Sequence, residues 1–219
     1  MQLAHPLVFL KGYLRNPRSV GSIAPSSKAL AMAVCEPLRR YGRRAAILEV
    51  GAGTGPITRY IGQLLGPGDE FDICEVDDNF ADVLERDVLT HADFAPGVAD
   101  GRVRLLRKPV QELNFENRYD FVICGLPFTS FGIRDVRDIL QIIRQCLRPS
   151  GIMSYYEYVG FRRVSRTFAL GKSRKRFRRV SAYLSRSIAR HQFREQTVFL
   201  NFPPAHARHL RFDEVRNSA

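Results

Sequence analysis

The clearest chemical signal in this sequence is a run of Glu49, Val50, Gly51, Ala52, Gly53, Thr54 and Gly55. Glycines at alternate positions let a chain leave a strand sharply and let a ligand approach the backbone, because no Cβ intervenes. An apolar run with helical spacing follows at 57–65. The free N–H groups and partial positive charge of that helix start would face whatever the loop holds. Loops of this kind also hold dinucleotides, and two details decide between the ligands. The spacing is GxGxG rather than GxGxxG, and the acidic Glu49 precedes the first glycine. A carboxylate there repels a pyrophosphate and suits the cationic amino acid end of S-adenosylmethionine. Twenty residues beyond Gly55, a second apolar run closes on Glu75, Val76 and Asp77. An acid at such a strand tip accepts hydrogen bonds from both ribose hydroxyls. Glu75 is expected in that role with Val76 beside it, and Asp77 as a surface cap.

Two further stretches belong to this site. After a third apolar run the chain reads Arg107, Lys108, Pro109, Val110, Gln111, Glu112, with no acid placed to read an adenine amino group. Backbone around Val110 and Gln111 is expected there, or Glu112 if the loop bends. A fourth run ends in the turn Gly125, Leu126, Pro127. Ser26 and Ser27 precede a helical stretch and suit an N-cap. The histidines (His5, His91, His191, His206 and His209) are scattered, with no acid at metal-ligand spacing. No metal is expected, and surface or loop positions are the default for all five.

These residues need elements to hold them. Strands are predicted at 45–50, 71–76, 103–106, 119–124 and 152–159, alternating with helices at 57–65, 79–89 and 135–147. Residues 148–151 read as a breaker. A closing pair of strands at 196–200 and 207–212 is joined through Pro203 and Pro204. Such alternation predicts an α/β, Rossmann-like fold: a mostly parallel seven-stranded sheet with helices on both faces. With 219 residues the chain suits one domain, here divided into an N-terminal helical segment, 1–28, and a sheet domain, 29–219. Cys35, Cys74, Cys124 and Cys146 form no CxxC pair and are expected as buried thiols in a reducing compartment. Residues 1–10 lack a basic leader and a cleavage-type motif, and no apolar run is long enough to span a bilayer.

The charge has an address. Net charge is +12, and segment 161–194 alone holds twelve Lys/Arg and no Asp or Glu; outside it 22 basic residues balance 22 acidic ones. Such a segment seeks phosphate, on a membrane surface or on nucleic acid. Leu3, Leu7, Leu10 and Leu14 form one helical stripe, with Lys11, Arg15 and Arg18 on another face. Phe177, Val180, Leu184 and Ile188 form a second stripe, with Arg179, Arg186 and Arg190 turned away from it. Basic amphipathic helices lie well between water and lipid, and they pack equally well onto a sheet.

Taken together, these motifs resemble the bacterial phospholipid N-methyltransferases, the soluble-type phosphatidylethanolamine methyltransferases. The resemblance rests on Asn16-Pro17-Arg18-Ser19-Val20-Gly21-Ser22-Ile23-Ala24-Pro25-Ser26-Ser27 and on the loop at 49–55. It extends to Gly125-Leu126-Pro127 and to Asn201-Phe202-Pro203-Pro204-Ala205. It implies methyl transfer from S-adenosylmethionine to the ethanolamine amine of a phospholipid, one to three times. It implies that the N-terminal helix attaches reversibly to an anionic membrane surface on the cytoplasmic side, and that Ser26 and Ser27 lie against the cofactor. No obligate protein partner is inferred. Lys11, Arg15, Arg18, Lys172, Arg174, Lys175, Arg176 and Arg179 are then the lipid and phosphate ligands, each basic side chain near an anionic surface contributing about 1 kcal/mol. Gly125, Leu126 and Pro127 would stand where the transferable methyl lies. Tyr156 and Tyr158, on one side of the fifth strand, would receive the amine or hold the growing methylammonium by cation–π contact. Tyr155 and Glu157 share the other side.

Two rivals follow from the same residues. An RNA adenine dimethyltransferase has a similar loop, but its Asn/Asp-Pro-Pro-Tyr turn is here Gly125-Leu126-Pro127-Phe128. Glycine offers no side-chain amide, although Phe128 could stack on a base; the reading therefore goes against nucleic acid. The second rival is a membrane-binding protein that retains a methyltransferase core.

Overall fold

A computed structural model describes residues 27–159 and 171–212. The N-terminal stripe with Lys11, Arg15, Arg18 and Ser26, and His5, lie outside the described residues, as do the side chains of Lys172, Arg174 and Lys175. In chain order the elements are α1 (Lys28–Val34), α2 (Glu36–Arg39), β1 (Ala46–Val50), α3 (Pro56–Gly62), β2 (Glu70–Cys74), α4 (Asp78–Asp87) and α5 (Ala95–Ala99). Then come β3 (Val103–Leu106), β4 (Tyr119–Cys124), α6 (Ile133–Cys146), β5 (Leu147–Tyr158), α7 (Gly171–His191), β6 (Gln192–Val198) and β7 (Ala205–Arg211). The seven strands form one sheet in the order β3-β2-β1-β4-β5-β7-β6. The pairings of β1 to β5 are parallel, and β7 runs antiparallel to both β5 and β6.

Parallel strands covered on both faces carry apolar side chains on both, and β1 is buried along its whole length. Ile47 faces a core with Leu30 and Val34 of α1, Ile57 and Ile61 of α3, and Leu84 of α4. Leu48 and Val50 face a second core with Val136, Ile139 and Ile143 of α6 and Val180 and Leu184 of α7. The glycine loop is thus clamped between strand and helix, with both sheet faces filled.

Three sequence expectations need correcting. The predicted breaker at 148–151 is the first part of β5. Its pairing with β4 slips between Tyr119 and Phe121, and Ser150 takes a left-handed φ of 64°. The strand therefore absorbs the irregularity as a register shift. The stripe of α7 is core: Phe177, Val180 and Leu184 are buried and Ile188 packs against the same cluster. Among its described side chains that apolar stripe is not left for lipid, while Arg179, Arg186 and Arg190 are exposed. Arg194, the last basic residue of the charged segment, pairs with the buried Glu36 at 2.9 Å.

His209 is the third. It is fully buried on β7, where Ser154 Oγ lies 2.8 Å from its Nδ1, and burial pushes its pKa down to about 4. All four cysteines are free and buried. Among the described residues, no helix is long and apolar enough to cross a membrane.

Candidate active site

The carboxyl ends of β1, β2, β3 and β4 meet at one edge of the sheet, where α/β folds of this kind bind their ligands. Gly51, Gly53 and Gly55 all adopt left-handed φ, at 74°, 58° and 80°. A Cβ on Gly53 would meet nothing within 4 Å, so the middle of the loop stands open to an approaching ligand. Gly51 and Gly125 are close for another reason: a Cβ on Gly125 would lie 2.5 Å from the Gly51 carbonyl oxygen. The N–H of Gly125 donates to Val50 O at 2.8 Å, and that of Gly51 to Cys74 O at 2.9 Å. These bonds sew the β1, β2 and β4 turns into one floor. Gly125→Ala should force the turns apart. Overpacking of this kind costs about 1–3 kcal/mol. A fall in melting temperature of about 5 °C and weaker cofactor binding, by thermal melting and calorimetry, are expected.

A cleft open to solvent lies on this floor. Of the residues singled out from sequence, it brings together Gly51, Glu75, Val76, Val110, Gln111 and Leu126. Lys108, Pro109, Cys74, Phe131 and Ile139 line it as well. Phe131 precedes α6 and Ile139 lies in its middle, and nothing in their spacing distinguishes a cleft wall from core. Glu112 is exposed and not among the lining residues. The wall after β3 is Lys108, Pro109, Val110 and Gln111.

Glu75 organises the loop. Its Oε2 accepts the Gly53 N–H at 2.8 Å, and its Oε1 accepts those of Val76 and Asp77 at 2.8 and 2.9 Å. A carboxylate has about four acceptor sites, so capacity remains for ribose hydroxyls beside it. Burial raises the Glu75 pKa, and the three backbone donors oppose that rise. Asp77, expected as a surface cap, is a buried one: it is 5% exposed and accepts from Asn79 N and Phe80 N at the start of α4.

Glu49 differs from its sequence reading. Its carboxylate lies beneath the loop, 2% exposed, and accepts the Thr58 hydroxyl of α3 at 2.7 Å. Burial raises its pKa to about 8 despite that hydrogen bond, and the neighbouring Glu75 charge adds to the rise. Without a cation nearby, Glu49 therefore holds its proton at pH 7 rather than standing as a fixed negative charge. A buried acid of this kind ionises when an ammonium arrives, which suits the amino acid end of the cofactor. Ala52 is buried and Thr54 exposed within the same loop.

The remaining candidates lie outside the cleft lining. Ser27 is the N-cap of α1: its Oγ accepts the Leu30 N–H at 3.2 Å, and its own N–H donates to Asn201 Oδ1 at 2.9 Å. Tyr156 and Tyr158 share a face of β5, edge to face at 5.8 Å. Both pack on the α1 side of the sheet, and neither is among the cleft-lining residues. Tyr155 lies on the opposite face against Phe128, with ring centroids 5.7 Å apart. Phe128 is only 4% exposed, so it is core and unavailable for stacking on a base.

The methyltransferase domain family matches residues 48–153. An ornithine lipid N-methyltransferase of Singulisphaera acidiphila is 34% identical over 144 residues, 66% of this chain and 73% of that protein. The chain belongs to the S-adenosylmethionine-dependent methyltransferases. A ubiquinone/menaquinone biosynthesis C-methyltransferase of Stutzerimonas stutzeri is 30% identical over 122 residues, 54% of this methyltransferase and 43% of that protein. In fold, the methyltransferase matches a Burkholderia thailandensis 1,6-didemethyltoxoflavin-N1-methyltransferase with bound S-adenosylhomocysteine. The TM-score is 0.57 at 20% identity, covering 98% of this chain and 93% of that one. The open Gly53, the free acceptor capacity of Glu75 and the buried, protonatable Glu49 fit S-adenosylmethionine, which supplies an electrophilic methyl group when bound.

Proposed function

We propose that this methyltransferase methylates the primary amine of a membrane lipid head group. Phosphatidylethanolamine and its methylated derivatives are the substrates the sequence motifs favour, with phosphatidylcholine at the end of the series. The observation that carries the lipid class is the 34% identity to an ornithine lipid N-methyltransferase over two thirds of the chain. Ornithine lipids and phosphatidylethanolamine share the reacting group, an alkylamine at the bilayer surface.

Such an amine has a pKa of about 10 and must lose a proton before it can attack. Removing it from water favours the neutral form, after which alignment of nitrogen, methyl and sulfur is the remaining work. The cleft lining suits this chemistry, because among the described residues Glu75 and Lys108 are its only ionisable side chains besides the buried Cys74 thiol. Gly125, Leu126 and Pro127 border the methyl. Tyr158, at the carboxyl end of β5, and Tyr156, one pleat deeper, lie on the α1 face outside the cleft lining, and would hold a methylammonium for a head group that enters from that face. Basic residues of the N-terminal segment and of α7 would meet the lipid phosphates, holding the enzyme peripherally on the inner face of the membrane.

The test is incubation of the full chain with labelled S-adenosylmethionine and vesicles containing phosphatidylethanolamine or ornithine lipid, with chromatographic resolution of the lipids. Label in mono-, di- or trimethylated phosphatidylethanolamine is expected, with turnover rising with pH as the amine deprotonates. Label in ornithine lipid alone would move the head group but keep the class. Label in neither, with the cofactor still bound, would overturn the proposal.

A further inference from the structure

The turn between β6 and β7 is apolar where a surface loop should be polar. Phe199, Leu200 and Phe202 are 78%, 86% and 85% exposed, and residues 196–205 contain no charged side chain in a chain that is 26% charged. Elsewhere in the described residues, no exposed large hydrophobic exceeds 48%. Three nearly bare side chains within four positions are not the scattered exposure that surfaces normally tolerate.

The position of this tip matters more than its composition. Tyr158 pairs with Ala205, and Ala205 with Val198, so the turn lies beyond the carboxyl end of β5. Val159, 41% exposed, donates its N–H to Pro204 O at 2.7 Å and extends the apolar surface. The glycine loop and the cleft open at the same edge. Strands lie about 4.8 Å apart, which puts the tip roughly 10–14 Å along the sheet from the β4 turn.

Two further features converge on the tip. Asn201, 2% exposed in the middle of the turn, holds the N–H of Ser27 through Oδ1 and donates Nδ2 to Pro203 O at 2.7 Å. It fixes the turn and ties it to the N-cap of α1. The second feature is charge. β6 runs parallel to β5 and follows α7 directly, so α7 starts at this same edge. Six of its first nine residues are Lys or Arg.

We infer that the β6–β7 turn is a membrane-insertion tip, whose Phe199, Leu200 and Phe202 enter the acyl boundary of an anionic bilayer and turn the mouth of the cleft toward the lipid head groups. Apolar side chains that enter hydrocarbon, beside cations that stay with phosphates, are the two parts of an interfacial membrane contact. The charge identifies the occupant: a protein patch would need matching acids, whereas an anionic leaflet supplies negative charge everywhere. This inference deepens the lipid reading above and rests on it. It assigns the bilayer contact to a hairpin of the sheet and takes it away from the apolar stripe of α7, which is core.

The chain contains no tryptophan, so Phe199→Trp makes the tip its own reporter. With the full-length Phe199→Trp protein and vesicles of phosphatidylethanolamine and anionic lipid, without cofactor, we expect blue-shifted emission. We also expect quenching by lipids brominated along their acyl chains. Phe199→Ser with Leu200→Ser should weaken vesicle binding about 30-fold, while calorimetric binding of S-adenosylmethionine stays unchanged. Solvent-like emission from protein that sediments with vesicles would overturn the inference, as would failure to sediment at all. A blue shift without vesicles would also overturn it, the tip then being covered by a second copy if the shift grows with concentration, or by the chain itself if it does not. The substrate reading fails separately: inserted tryptophan with no labelled lipid would sink that reading and leave the tip standing, and labelled lipid with unmoved tryptophan would do the reverse.

Discussion

Replacing Glu75 with Gln is expected to raise the dissociation constant for S-adenosylmethionine about 100-fold, from two causes that act on the same side chain. Hydrogen bonds to a charged acceptor contribute about 1.5–3 kcal/mol each, and both ribose hydroxyls would lose that acceptor. The amide also brings donors of its own to a place already filled by N–H groups. Glu75 accepts from Gly53, Val76 and Asp77, and an NH2 in place of either oxygen leaves at least one of them facing another donor. The glycine loop should loosen, and the melting temperature of the cofactor-free protein should fall. Titration calorimetry and thermal melting read the two effects independently. A reduced melting temperature with unchanged cofactor affinity would confine Glu75 to holding the loop. Unchanged values of both would remove it from the site.

The parts of this fold that were legible in the sequence are those set by local chemistry. The strands at 103–106 and 119–124 match β3 and β4, because buried parallel strands read as short apolar runs between breakers. The glycine loop was legible because its spacing is itself the geometry. What a face meets is not a local property. The stripe Phe177, Val180, Leu184 and Ile188 announces an apolar helix face, and it reads the same whether that face meets lipid or α6; only the folded chain assigns it to the core. His209 was misread for a related reason. It occupies a buried position of β7 made tolerable by Ser154, a partner 55 residues away. The sequence marked Glu49 as an acid of the loop, but its burial, which raises its pKa in the cofactor-free chain, is set by packing that no residue nearby in sequence reveals. Asn201 stood within a stretch that carried the family resemblance, and its bond to Ser27, which spans 174 residues, is not legible there.

Glu49→Gln is expected to stabilise the cofactor-free protein at high pH while spoiling its response to the cofactor. In the folded chain Glu49 titrates near 8, chiefly because it is buried, against an ordinary value of 4.5. Between those values the native state keeps a proton that the unfolded state has released. Stability from this group is therefore fully present below about pH 4.5 and falls as the pH rises through 8. Gln is neutral throughout and can still accept the Thr58 hydroxyl. The variant should melt near the parent at pH 5 and about 5 °C or more above it at pH 9, given roughly 2–4 °C per kcal/mol for a chain of this size. His209 acts in the opposite sense. Its pKa, lowered to about 4, removes stability as the pH falls below about 6.5. That contribution is common to both proteins and cancels from their difference. Cofactor binding supplies the complementary reading. An ammonium above the loop favours the charged carboxylate, so the parent should release a proton on binding at pH 7, seen as a calorimetric heat that varies with buffer ionisation enthalpy. The variant should show less release and weaker affinity. If it melts higher at pH 9 yet binds the cofactor as the parent does, with the same proton release, Glu49 is a structural acid and the cofactor's ammonium is held by other groups.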